Sequence, residues 1–286
     1  MERFYSFAGI TWRITGDPDG MYREDGVLAP FRREGPSYDH SLEFEIAASL
    51  PEPRGTCVFH SPRKAVFLTP EGRLTCMGEV ARSPENAYLH ILRAGDHSHV
   101  RVLRQAVPDR IMPRLVLNCL EAEHRIIRRG GFLLHASFIA WEGRAILFTA
   151  PSGTGKSTQA ALWQQYRGAE PINGDRAAVT VEPGGVTAWG IPFCGTSGIS
   201  KNAALPLAAI VFLSQAPVSA VTRLKGLTAF RRVWEGCSVH VWDKEDMDRC
   251  TRSVMAAVEQ VPVYHLACTP DEAAVAVLES ILKKGE

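Results

Sequence analysis

A lysine, a hydroxyl and two glycines carry the most chemistry in this sequence. They stand together in Ala150-Pro151-Ser152-Gly153-Thr154-Gly155-Lys156-Ser157-Thr158. Gly153 and Gly155 let the backbone turn its N–H groups inward without a Cβ penalty. A helix opening just after them adds roughly half a positive charge facing the same point. Lys156 is then placed to reach the terminal phosphates of a nucleotide, and Ser157 to ligate Mg²⁺ through its hydroxyl. The candidate nucleotide-binding residues are Ser152, Gly153, Thr154, Gly155, Lys156, Ser157 and Thr158. The usual phosphate-loop pattern opens on a glycine, where this chain has Ala150; a structural glycine turn before a helix is the alternative.

Phosphoryl transfer needs an acid beside Mg²⁺, usually from the end of a neighbouring strand. Asp175, in Pro171-Ile172-Asn173-Gly174-Asp175-Arg176, comes directly after the helix that the loop opens and is the candidate, although Asn-Gly-Asp is also strong turn chemistry. A second loop, over residues 190–202, is rich in small and hydroxyl residues and contains a cation. Such a segment suits contact with substrate or phosphate. Cys194, Gly195, Thr196, Ser197 and Lys201 are its candidate substrate residues, against the reading of a plain surface connection. Arg231 and Arg232 could bring a cation to a transition state, or could simply be solvated on a helix face.

The elements that position these groups are legible in the apolar pattern. An apolar run at 145–148 precedes the loop and a helix-like segment follows it to about 166, giving the order strand, loop, helix. Upstream, 132–140 reads as a partner strand. Downstream, 176–181 and 186–189 form a hairpin around Glu182-Pro183-Gly184-Gly185, and 207–213 is apolar enough to be buried on both faces. Helices are expected over 111–129, 227–234 and 245–259, a strand over 261–266, and a last helix over 269–283 opened by a Thr269/Glu272 capping box. The first hundred residues alternate short apolar runs with turn clusters, at 16–20 and around Pro70-Glu71-Gly72, and contain no catalytic motif. His97 and His99 there read as solvent-facing and not as a metal pair.

A chain of 286 residues with 45% hydrophobic and 22% charged content can bury a sizeable core. A net charge of +1 argues against a dedicated nucleic-acid or acidic-membrane binder. No apolar stretch approaches the roughly 20 residues of a membrane span, and Met1-Glu2-Arg3-Phe4 lacks a signal-peptide layout, so a soluble cytoplasmic protein is expected. Seven dispersed cysteines without a C-x-x-C pair read as reduced thiols, neither a disulfide framework nor a zinc site.

The run Leu134-His135-Ala136-Ser137, the S-G-T-G-K-S-T loop and Asn173-Gly174-Asp175-Arg176 together resemble the HPr kinase/phosphorylase family, which shares an unusual P-loop fold with phosphoenolpyruvate carboxykinase. The resemblance covers about residues 130–215. It implies an α/β fold with a P-loop, HPr kinase-like C-terminal domain at 106–286; the small β-rich subdomain at 1–105 is read from its own alternating pattern and has no counterpart in the resemblance. It implies ATP and Mg²⁺ as cofactors and transfer of the γ-phosphoryl group to a serine or similar hydroxyl of a protein, peptide or small molecule. Lys156, Ser157 and Asp175 would hold phosphate and metal, with His135 as a further catalytic residue, and self-association is implied as well. One departure stands out. The family carries two adjacent acids where this chain has Gly174-Asp175, which leaves the general base unassigned and the reverse reaction in doubt. A catalytically reduced, ATP-binding regulatory or adaptor protein is therefore the alternative reading.

Overall fold

A computed structural model of the chain describes residues 2–16, 27–80, 83, 86–106 and 113–283. The chain divides into two compact units, Met1–Ala122 and Glu123–Glu286.

In the first unit the alternating segments build a nine-stranded sheet from β1 (Arg3–Phe7), β2 (Ile10–Thr15), β3 (Arg32–Arg33), β4 (His40–Ala47), β5 (Thr56–Ser61), β6 (Lys64–Thr69), β7 (Gly72–Gly78), β8 (Ala87–Ala94) and β9 (His97–Leu103). The strand order is β3-β1-β2-β4-β9-β8-β7-β6-β5, with β4 parallel to both β2 and β9. The turn expected around Pro70-Glu71-Gly72 joins β6 to β7. Of the turn expected at 16–20, residues 17–20 lie outside the described residues. His97 and His99 sit on β9 and reach Glu43 and Glu45 of β4 across the strands. The single helix expected over 111–129 is two helices, α1 (Pro113–Cys119) and α2 (Ala122–Arg128); Ile111 lies outside the described residues. The break falls at Glu121, whose backbone is left-handed at φ 47°, and whose carboxylate pairs with Arg93 at 3.2 Å. A left-handed residue cannot continue a right-handed helix, and apolar spacing alone does not reveal it.

The second unit is mixed α/β. Its strands are β10 (Gly131–Trp141), β11 (Arg144–Thr149), β12 (Glu170–Asn173), β13 (Arg176–Glu182), β14 (Gly185–Gly190), β15 (Ala204–Gln215), β16 (Ala220–Leu224), β17 (Cys237–Ser238) and β18 (Val263–Cys268). Its later helices are α3 (Lys156–Arg167), α4 (Gly226–Trp234), α5 (Lys244–Gln260) and α6 (Glu272–Leu282). Two long strands organise the sheet. The first half of β10 pairs with β13, and from Ala136 onward it pairs with β11. The start of β15 pairs with β14, and its later residues run parallel to β11 and β18. Pairings thus close a ring from β11 through β10, β13, β14 and β15 back to β11. Leu207, Ala209, Ile210, Val211 and Leu213 of β15 are buried, as an apolar run flanked by parallel neighbours requires.

Helix α3 lies on this sheet through Trp163, fully buried and edge-on to Trp141 at 5.0 Å. It stops at Gly168, which takes the left-handed C-terminal cap at φ 65°. The capping box expected at Thr269 is not formed. Helix α6 starts at Glu272, and Asp271 is the cap, accepting from the Ala273 N–H. Thr269 donates to the Asp271 carboxylate at 2.7 Å instead, because it still belongs to the chain leaving β18. All seven cysteines are free. Among the described residues no helix is long and apolar enough to cross a membrane.

Candidate active site

Strand β11 ends at Thr149, and α3 begins at Lys156 with Gly155 as its N-terminal cap. Gly153 and Gly155 have φ of 79° and 113°, conformations that a side chain would strain. Ala150 is not among the residues with positive φ, so an alanine fits where the usual pattern has glycine. No side chain caps α3, so the N–H groups of its first turn are not taken up by a capping side chain. The Lys156 ammonium donates to the carbonyls of Ala150 (3.0 Å) and Pro151 (3.4 Å), which folds it back onto the loop. Burial lowers its pKa, and Asp175 opposes the shift.

Asp175 is carried to the loop by β10. The Ala136 N–H donates to the Asp175 carbonyl at 2.9 Å, and the Ser137 hydroxyl to the Gly174 carbonyl at 3.3 Å. Asn173 shapes the turn from inside. Fully buried, its Oδ1 accepts from the N–H groups of both Asp175 and Arg176 at 2.9 Å, while its Nδ2 donates to Ile191 O at 2.7 Å. The segment is therefore an Asx turn that also presents an acid. His135 stands where β10 passes from β13 to β11, and its Nδ1 lies 3.3 Å from Asp175 Oδ1. Arg176 Nε lies 3.5 Å from the other carboxylate oxygen. Burial lowers the His135 pKa; Lys156 and Arg176 lower it further, and Asp175 opposes them.

Gly174 has a steric explanation. A Cβ added there would overlap the Ser197 hydroxyl and its carbon. Ser197 is fixed by donating to Cys194 O at 2.6 Å, so the loop after β14 occupies the space an acid would need. The same loop brings Gly195 against Asp175, where an added Cβ would meet the carboxylate at 2.9 to 3.0 Å. Cys194, Gly195, Thr196 and Ser197 thus lie in the loop beside Asp175, whereas the Lys201 ammonium pairs with Glu170 at 2.7 Å, at the opposite end of β12. The two arginines of α4 also part. Arg231 is exposed and pairs with Glu235. Arg232 also pairs with Glu235, at 3.1 Å, but lies over the Phe212 ring at 4.5 Å, and it and Glu235 line a cavity of about 450 Å³ with His135, Thr149, Pro151, Arg176 and Ser238.

A cluster that sequence reading missed lies elsewhere in this unit. His124, His240 and Asp246 are buried, and their ligand atoms lie within 4.8 Å of one another. Two imidazoles and one carboxylate do not suit Mg²⁺, which prefers oxygen. Here His124 Nδ1 meets the carboxylate at 2.7 Å, His240 Nδ1 at 3.3 Å and Arg128 Nε at 3.3 Å, a set that satisfies the buried acid directly. Asn173 was also missed as an organiser. Its only signal was its place before Gly-Asp.

Residues 102–283 match the family model described as "SynChlorMet cassette protein ScmC". No curated protein matches the sequence. Among solved structures, the chain is similar to the Hpr(Ser) kinase/phosphatase from Coxiella burnetii at 11% identity, over 54% of this chain and 89% of that one, with a TM-score of 0.32. A likeness that distant carries no argument about fold or activity.

Proposed function

The chain belongs to the ScmC family, and we propose that this member is an ATP-dependent kinase transferring the γ-phosphoryl group to a serine or similar hydroxyl. The observation that carries the reading is a convergence: a strand–glycine loop–helix unit, with Lys156 folded onto the loop, follows β11, whose partner strand β10 carries His135 against Asp175. Ser157 and Asp175 offer a hydroxyl and a carboxylate, the hard oxygen donors that Mg²⁺ takes. The bound metal would neutralise charge on the phosphates.

The acceptor hydroxyl enters the cavity shared by His135, Arg176 and Arg232. With Nδ1 protonated toward Asp175, His135 keeps Nε2 to take the hydroxyl proton. The acceptor oxygen–phosphorus bond forms as the bond from the γ-phosphorus to its bridging oxygen breaks, and the electron pair leaves with ADP. Lys156 and Arg232 supply cations to the charge that moves. His135 thereby takes the place of the acid missing at Gly174. Phosphoryl transfer rests mostly on positioning and charge stabilisation, so that replacement is chemically sufficient. The acceptor is a protein, a peptide or a small molecule.

The second reading, an ATP-binding regulatory or adaptor protein, draws on Gly174, which has no room for an acid. Incubation with γ-labelled ATP, Mg²⁺ and a panel of free serine, serine-bearing peptides and host extract separates the two. Label on an acceptor, lost in Lys156→Ala, is the expected result. ATP binding without transfer across the panel would favour the regulatory reading.

A further inference from the structure

The phosphate loop has a second flank, and its chemistry differs from that of the His135 side. Gly153, Gly155, Thr158, Gln159, Gln215 and Thr269 line a cavity of about 560 Å³, inside the roughly 300–1,000 Å³ range of small-molecule sites. It lies beyond the carboxyl ends of β15 and β18, the parallel strands that terminate at Gln215 and Cys268. Open α/β sheets hold their ligands in such crevices. Its lining holds no Asp, Glu, Lys, Arg or His, and burial raises the pKa of its Cys268. Neutral walls suit the uncharged part of a nucleotide, whereas the flank with His135, Arg176 and Arg232 suits the reacting end.

Gln159 gives this cavity a recognition element. It sits one turn into α3 with only 2% of its surface exposed. Its Nε2 donates to Thr269 O at 3.4 Å, while its buried Oε1 has no hydrogen-bond partner among the described residues. A buried carbonyl oxygen without a donor is unfavourable, so a ligand that brings an N–H is favoured there. Resting on the reading of the loop as a nucleotide site, we infer that this cavity takes the nucleoside of ATP, with Gln159 Oε1 accepting from the adenine 6-amino group. Guanine would present a 6-oxo acceptor to the same oxygen. The phosphate chain then runs from this cavity over Gly153–Gly155 toward His135.

Calorimetric titration with ATP, GTP and inorganic tripolyphosphate, each with Mg²⁺, tests this in the full chain. ATP is expected to bind at least about tenfold more tightly than GTP or tripolyphosphate, the scale of one well-placed hydrogen bond with its apolar contacts. Gln159→Ala should bring ATP to the level of GTP, and Ala216→Trp, at a residue that also lines the cavity, should fill it and remove the nucleoside advantage. Both variants should bind tripolyphosphate as the parent does, which also shows that they fold. Equal affinity for ATP and GTP, an ATP advantage surviving in Gln159→Ala, or loss of tripolyphosphate binding in that variant would each overturn the inference. Tripolyphosphate binding with no gain from the nucleoside sinks this inference alone. No binding of tripolyphosphate by the parent protein would remove the phosphate-loop reading and this inference with it.

Discussion

The proton on His135 is set by opposing neighbours. Burial, Lys156 and Arg176 push its pKa down, and Asp175 pulls it up, with the net shift downward from the ordinary 6.5. The imidazole is therefore neutral near pH 7 and able to accept a proton. A lowered pKa means that the base is lost only as pH falls through a value below 6.5. The acid limb of kcat/KM for phosphoryl transfer is thus expected below that pH, and His135→Asn should abolish the limb. The variant should also lower kcat by about 10²–10⁴-fold, the usual contribution of acid–base catalysis. An acid limb centred above pH 6.5 would contradict this assignment.

At the scale of the element, the turn between β12 and β13 decides where the acid stands. Two backbone N–H groups and one carbonyl converge on the Asn173 amide. Asn173→Ala leaves buried backbone groups unpaired, at about 1–3 kcal/mol each where no water replaces them. The expected outcome is a lower melting temperature together with a fall in kcat, while tripolyphosphate affinity holds, because the proposed phosphate-binding loop is built separately from β11 and α3. A variant with unchanged kcat would show that Asp175 does not depend on this turn. The loop itself needs glycine at 153 and 155, where φ is positive, and tolerates alanine at 150, where it is not.

For the whole molecule, stability of the second unit leans on its buried acid. Burial alone would raise the Asp246 pKa; the hydrogen bonds from His124 and His240 outweigh it, and the net shift is well below the ordinary 3.8. A depressed carboxylate contributes stability that is full above its unfolded pKa and is lost as pH falls through the folded value. Asp246→Ala should destabilise by about 3–5 kcal/mol, the scale for breaking a buried ion pair from one side. Denaturant melts should show the difference between parent and variant shrinking below about pH 4, where the unfolded carboxylate takes up its proton. A difference that keeps growing below that pH would reverse the sign argued here.

The order strand, glycine loop, helix was legible in the sequence because it is local: an apolar run, glycines at two positive-φ positions, a lysine and a helix follow one another directly along the chain. Strand β15 was legible for a similar reason, since burial between parallel neighbours leaves a continuous apolar run. The Thr269 capping box and the unbroken helix over 111–129 failed where a single backbone choice, at Asp271 and at Glu121, overrode a plausible pattern. What only the tertiary structure decided are the meetings between distant segments. These include His135 against Asp175, Ser197 in the space beside Gly174, Arg232 and not Arg231 in the cavity, Gln159 buried on a helix that reads as polar, and the His124–His240–Asp246 cluster. Each depends on packing between segments far apart in the chain, and no local spacing encodes that packing.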